Sequence, residues 1–112
     1  MKKKENKKME TITKRMIGKK VLVRANVAGV HSGIVEDIKG TTVLLKNARR
    51  MWRFYTRDKT GSISDIAANG LKKDGAHQIG AELKSVLIEN PNGLEIAEMT
   101  DEAYKSVINW GK

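Results

Sequence analysis

Residues 47–55 read Asn47-Ala48-Arg49-Arg50-Met51-Trp52-Arg53-Phe54-Tyr55 and interleave three of the chain's five aromatic residues with three arginines. Arginine presents a planar fork of donors that matches phosphate oxygens, and aromatic faces stack on bases. Nine residues of this composition point to a ligand that carries both a phosphate and a base. Lys46, Arg57 and Lys59 extend the positive charge, and only Asp58 opposes it. The competing structural reading is a half-buried strand, in which charged and apolar residues alternate for packing reasons alone. On a strand, Arg49 and Arg50 face opposite sides, so at most one sheet face meets a ligand unless an oligomer interface uses the other.

Other chemistry is sparse. The two histidines are His31 and His77, and there is no cysteine. His31 sits in Gly29-Val30-His31-Ser32-Gly33, where it reads as a surface turn histidine beside turn and bulge glycines. Among nearby carboxylates, His77 has only Asp74 as a partner. No paired histidine ligands, HExxH, Walker loop or GxGxxG occur, so no metal site, cofactor or catalytic residue is assigned. Asp65 follows two serines but reads first as a helix-start carboxylate. Binding without turnover, and not an enzyme, is the natural reading.

The elements that would position the basic-aromatic stretch follow from local patterning. Lys19–Asn26 alternates as a strand, Val30–Glu36 follows through a turn at Gly29, and Thr41–Lys46 returns after Ile38-Lys39-Gly40. Connections this short predict an antiparallel meander. Arg50–Tyr55 reads as a fourth strand, with Met51, Arg53 and Tyr55 on one face and Arg50, Trp52 and Phe54 on the other. Ser62–Gly70 predicts a short helix, capped by Ser62, with Asp65 in capping-box position and Gly70 at the left-handed end. His77–Ile79 and Glu82–Glu89 read as strands, Asn90–Gly93 as a turn, and Leu94–Met99 as the last strand. Thr100 caps a C-terminal helix that puts Ala103, Val107 and Trp110 on one face. The fold class is α+β: a small, mostly antiparallel β-sheet or open barrel with two short helices.

At 112 residues the chain supports one domain, and a charged content of 31% beside 39% hydrophobic suits a folded core. Residues 1–16 read as a basic flexible tail and residues 17–112 as a single α+β domain. The net charge of +9 is uneven: +7 over residues 1–20, +6 over 21–73 and −4 over 74–112. A uniformly basic DNA-coating protein would not show this polarity. No apolar run is long enough to span a membrane, and the N-terminus lacks the apolar core of a signal peptide, so a cytoplasmic setting is expected.

The sequence resembles a widespread group of small phage-encoded proteins. The resemblance runs over residues 19–110. It rests on Arg24 with Ala28-Gly29-Val30 and Gly33, on Leu45-Lys46-Asn47-Ala48-Arg49-Arg50-Met51-Trp52, on Ser62-Ile63-Ser64-Asp65-Ile66-Ala67 with Gly70, and on the helix from Thr100 to near Trp110. His31-Ser32 and Arg53-Phe54-Tyr55 depart from the usual aromatic positions. In size, β-rich character and lack of catalytic residues, the chain is similar to phage sponge proteins that sequester nucleotide immune signals, of the anti-CBASS and anti-Thoeris type. The resemblance implies a non-enzymatic protein of the host bacterial cytoplasm that binds a cyclic nucleotide or ADP-ribose-type signal and inhibits anti-phage defence. It would use Arg49 and Arg50 for phosphate and Trp52 for base stacking, with Arg24 and Asn47 next, and would act as a homo-oligomer. The alternative is a small basic nucleic-acid-binding protein of phage origin that uses the tail and the basic strand. A third reading is an interaction protein whose basic strand meets an acidic partner.

Overall fold

The computed structural model describes residues 12–112. The expected tail of residues 1–16 lies largely outside them; residues 12–14 form a helical turn, and Met16 packs against the core. Six strands and two helices follow: β1 (Lys20–Ala25), β2 (Gly29–Lys39), β3 (Thr42–Arg53), α1 (Ile63–Asn69), β4 (Gln78–Ile79), β5 (Leu83–Glu89), β6 (Glu95–Glu98) and α2 (Asp101–Ile108). The pairings are antiparallel, in the order β4-β3-β2-β1-β6, with β5 beside β3 as well. The α+β class holds.

The sheet is strongly curled, and the chain length shows why. Between Glu89 and Glu95 the chain must pass from beside β3 to beside β1. On a flat sheet that step covers four strand spacings, about 19 Å. Six residues reach about 20 Å only when fully extended. This segment instead holds a turn in which the Gly93 N–H donates to the Asn90 carbonyl at 2.9 Å. Curling brings the two ends together and encloses a core of Val21, Val23, Val35, Val43, Leu45 and Ile88. A second core lies on the outer face, where α1 and α2 cover Leu22 and Met51 with Ile63, Ile66, Ala103 and Val107. Central strand β1 therefore buries Val21, Leu22 and Val23 alike, alternating between the two cores.

The stretches expected as third and fourth strands are one strand, β3. They join through a β-bulge: Ser32 pairs with Arg49 but Ile34 pairs with Lys46, so Asn47 and Ala48 together oppose Gly33. Asn47 takes a positive φ of 49°, which asparagine tolerates better than most residues. Gly33 fits closely opposite it: a Cβ there would lie 3.1 Å from Leu45 Cβ and 3.3 Å from Ala48 Cβ, a tight contact. The extra residue resets the alternation. Leu45 and Ala48 both face the inner core, while Met51 faces the helices. Phe54, expected on the side of Trp52, instead packs with Met51, because the strand ends at Arg53.

The helix caps are those expected. Ser62 Oγ accepts the Ser64 N–H, Thr100 Oγ1 accepts the Ala103 N–H, and Gly70 ends α1 at a φ of 83°. Asp65 departs from the capping box. Its carboxylate accepts the Arg57 N–H at 2.8 Å and the Asn69 side-chain amide at 2.8 Å, so it ties the preceding loop to α1.

Candidate functional site

The bulge decides where each arginine goes. Arg49 points to the helix side and is 7% exposed. Its Nε donates to the Gly80 carbonyl at 2.7 Å, and Nη1 donates to the carbonyls of Val107 at 2.9 Å and Trp110 at 2.7 Å. The Val107 carbonyl, which also accepts the Trp110 N–H at 3.1 Å, and the Trp110 carbonyl lie at and just beyond the end of α2, where a cation complements the helix dipole. Arg49 therefore closes the C-terminus of α2 and holds it against β3.

Arg50 points the other way. Its register partner is His31, which in turn pairs with Val23. Cross-strand partners share a face, so His31 and Arg50 belong to the inner side of the curled sheet, with Arg50 exposed at its mouth. Arg50 Nε donates to His31 Nε2 at 3.2 Å. An accepting Nε2 places the imidazole proton on Nδ1, which is buried without a partner. His31 is thus no surface turn residue: it lies within β2 and is 1% exposed. Burial, together with the neighbouring Arg50 charge, lowers its pKa and favours the neutral form.

Trp52 lies two residues along, on the same side. A register shift between Met51 and Arg53 places it at another irregularity, opposite β4. The indole is 64% exposed, and the Arg50 guanidinium carbon sits 6.0 Å from its ring centroid. Gly80 lets the ring lie close, since a Cβ there would be 3.1 Å from it. Backbone bonding fixes that contact, with the Gly80 N–H donating to the Arg50 carbonyl at 2.7 Å. Trp52 is a surface side chain, not part of either core.

The other two expected site residues stand apart. Asn47 is held in the bulge, its amide donating to Glu82 at 3.0 Å and its carbonyl accepting from the Tyr104 hydroxyl at 3.1 Å. The Asn47 bond, together with one from Lys112 Nζ to Glu82 at 3.0 Å, holds the Glu82 carboxyl below its usual range, whereas burial raises the Tyr104 phenol. Arg24 is exposed on β1 but alternates with Val23, so it shares the outer face with Leu22 and not the inner face with Arg50. Of the five residues, the fold brings together Arg50 and Trp52 and adds His31. The cue for His31 was present in the strand-like valines around it, at Val30 and Val35.

Among the described residues, no cluster of three or more His, Cys, Asp or Glu side chains could hold a metal ion, and no helix is long and apolar enough to cross a membrane. His77 is structural in geometry: Nδ1 accepts the Tyr55 N–H at 3.0 Å, Nε2 lies 2.8 Å from the Lys72 carbonyl, and the ring meets Trp110 edge-on.

The family described as a domain of unknown function, DUF6948, matches residues 18–107. No curated protein and no solved structure matches. The chain belongs to that family.

Proposed function

We propose that this DUF6948 protein is a non-enzymatic nucleotide binder, in which Trp52 stacks on a base and Arg50 takes a phosphate at the mouth of the curled sheet. One observation carries the reading: a mostly exposed indole stands beside an arginine whose guanidinium is already held by a buried histidine. Exposing a large aromatic ring forgoes burial worth about 1.5–3 kcal/mol, which a stacking role offsets. Holding Arg50 in place reduces the ordering cost of binding.

The resemblance to phage sponge proteins supplies the ligand class and the setting. The ligand would be a cyclic nucleotide or ADP-ribose-type immune signal, sequestered in the host bacterial cytoplasm. The Arg50–Trp52 face is open on one chain. Sequestration needs most of the ligand surface enclosed, so a second copy closes the site and the protein acts as a homo-oligomer. The same openness favours a second reading, in which a single nucleic-acid strand lies across Trp52 and the basic residues of β3.

Calorimetry with a panel of cyclic and ADP-ribose-type nucleotides tests both. Arg50→Ala is expected to weaken binding roughly tenfold to a hundredfold, the loss of a charge-assisted bond of about 1.5–3 kcal/mol. Trp52→Ala should cost about 1–3 kcal/mol of affinity. Nucleotide binding that survives both substitutions removes the site. If the parent binds no nucleotide but retards DNA or RNA at low salt, with affinity collapsing as salt rises, the second reading replaces the first.

A further inference from the structure

Where β3 ends, the chain turns to the helix side and borders a groove of about 300 Å³. Phe54 and Tyr55 form one wall, and Lys59 and Lys72 line it with Thr60 and Gly61. We propose that this groove is a separate binding site for a nucleoside monophosphate, with the phosphate between Lys59 and Lys72 and the base against the Tyr55 wall. The inference does not depend on the Arg50–Trp52 reading, which concerns the opposite side of the sheet.

Three features support it. The first is charge. Two lysines line one small groove and no carboxylate does. The nearby Asp58 turns its carboxylate into its own loop, where it accepts the Thr60 N–H at 3.0 Å and the Thr60 hydroxyl at 2.7 Å. Those bonds hold the Asp58 carboxyl below its usual range. Asp74 reaches Lys72 at only 3.8 Å, and both side chains are solvated. Two lysines lining the groove against one long, solvated ion pair leave a net positive charge there, which suits an anion.

The second feature is rigidity. Lys59 holds a left-handed φ of 64°, a conformation non-glycine residues rarely adopt and one that clusters at ligand sites. The loop is fixed around it, with the Gly61 N–H donating to the buried Thr56 hydroxyl at 3.0 Å and the Ser62 N–H to Thr60 Oγ1 at 3.2 Å. On the far wall, the Lys72 N–H donates to the Tyr55 carbonyl at 3.2 Å, and His77 bridges the Tyr55 N–H and the Lys72 carbonyl. Both lysine backbones are held before any ligand arrives. The third feature is size. The groove lies at the lower end of the range for small-ligand sites, about 300–1,000 Å³, which suits one nucleotide unit and not two.

The test is calorimetric titration of the full chain with AMP, adenosine and inorganic phosphate. AMP is expected to bind more tightly than either fragment. Lys59→Gly removes the amine and suits the backbone, since glycine accepts the positive φ without strain. Lys72→Ala removes the amine and keeps both backbone bonds. Each should weaken AMP at least tenfold with the melting temperature unchanged or raised, and Lys72→Arg should restore most of the affinity. The lysine variants are also titrated in an Arg50→Ala, Trp52→Ala background, which removes the other proposed site, and the same loss of AMP affinity is expected there. No detectable AMP binding at millimolar concentration, AMP binding that survives both lysine substitutions in that background, or AMP no tighter than inorganic phosphate would each overturn the proposal.

Discussion

Arg49 and Arg50 are adjacent in the chain and alike in chemistry, yet the structure gives them opposite tasks. Arg49 is buried with its donors on backbone carbonyls of the β4–β5 connection and of α2. Arg50 stands at an open rim, steadied by one buried imidazole and flanked by an exposed indole. The difference comes from position relative to the bulge at Asn47, because one extra residue decides which of two neighbours enters the protein. An arginine-rich motif therefore need not be a ligand site throughout: one guanidinium builds the scaffold and the next remains available.

The largest effect expected on this comparison is at Arg49. Arg49→Ala should lower the unfolding free energy by about 3 kcal/mol, since carbonyls at a packed helix end lose a charged donor. Urea denaturation measures it, and a loss below about 1 kcal/mol would break the contrast with Arg50. Gly33→Ala attacks the bulge that separates the two arginines. Its Cβ would press on Leu45 and Ala48, an overpacking worth about 2 kcal/mol. A variant as stable as the parent would show that the bulge can relax.

Arg50→Ala should cost about 1 kcal/mol or less, because the group is exposed and, among the described residues, its guanidinium donates only to His31. A thermal melt matching that of Arg49→Ala would erase the distinction. The smallest effect concerns pH. The His31 pKa is lowered in the folded chain, so the unfolded chain takes up the proton first as pH falls. The contribution of neutral His31 is therefore fully present above the unfolded value of about 6.5 and is lost as pH falls towards its lowered folded value. His31→Gln should flatten that part of the stability profile measured between pH 7 and 5. An unchanged slope would place the acid sensitivity elsewhere.

Much of the fold was legible in the sequence. The alternation in Lys20–Ala25 and Leu83–Glu89, the caps at Ser62, Gly70 and Thr100, and the turn at Asn90–Gly93 each rest on local rules, and the elements form where those rules place them. The clustering of Arg50 with Trp52 followed from two-residue spacing along one strand. The continuity of β3 through Asn47 was not read, although an asparagine ahead of a glycine-bearing partner strand was a usable signal.

What the sequence determined by itself is the set of elements, their caps and the presence of one basic-aromatic strand. These depend on contacts within a few residues, where side-chain period and backbone preference act directly. Which side of that strand meets the helices was decided only by the tertiary structure. Period-two alternation fixes which residues share a face but not which face is buried, and a single bulge reverses the assignment beyond it. Arg49 became a clamp because the end of α2, more than fifty residues later, brings the carbonyls of Val107 and Trp110 to that spot. His31 became a buried support because curling of the sheet enclosed the inner face of β2, a consequence of the short Glu89–Glu95 connection and not of any residue near His31.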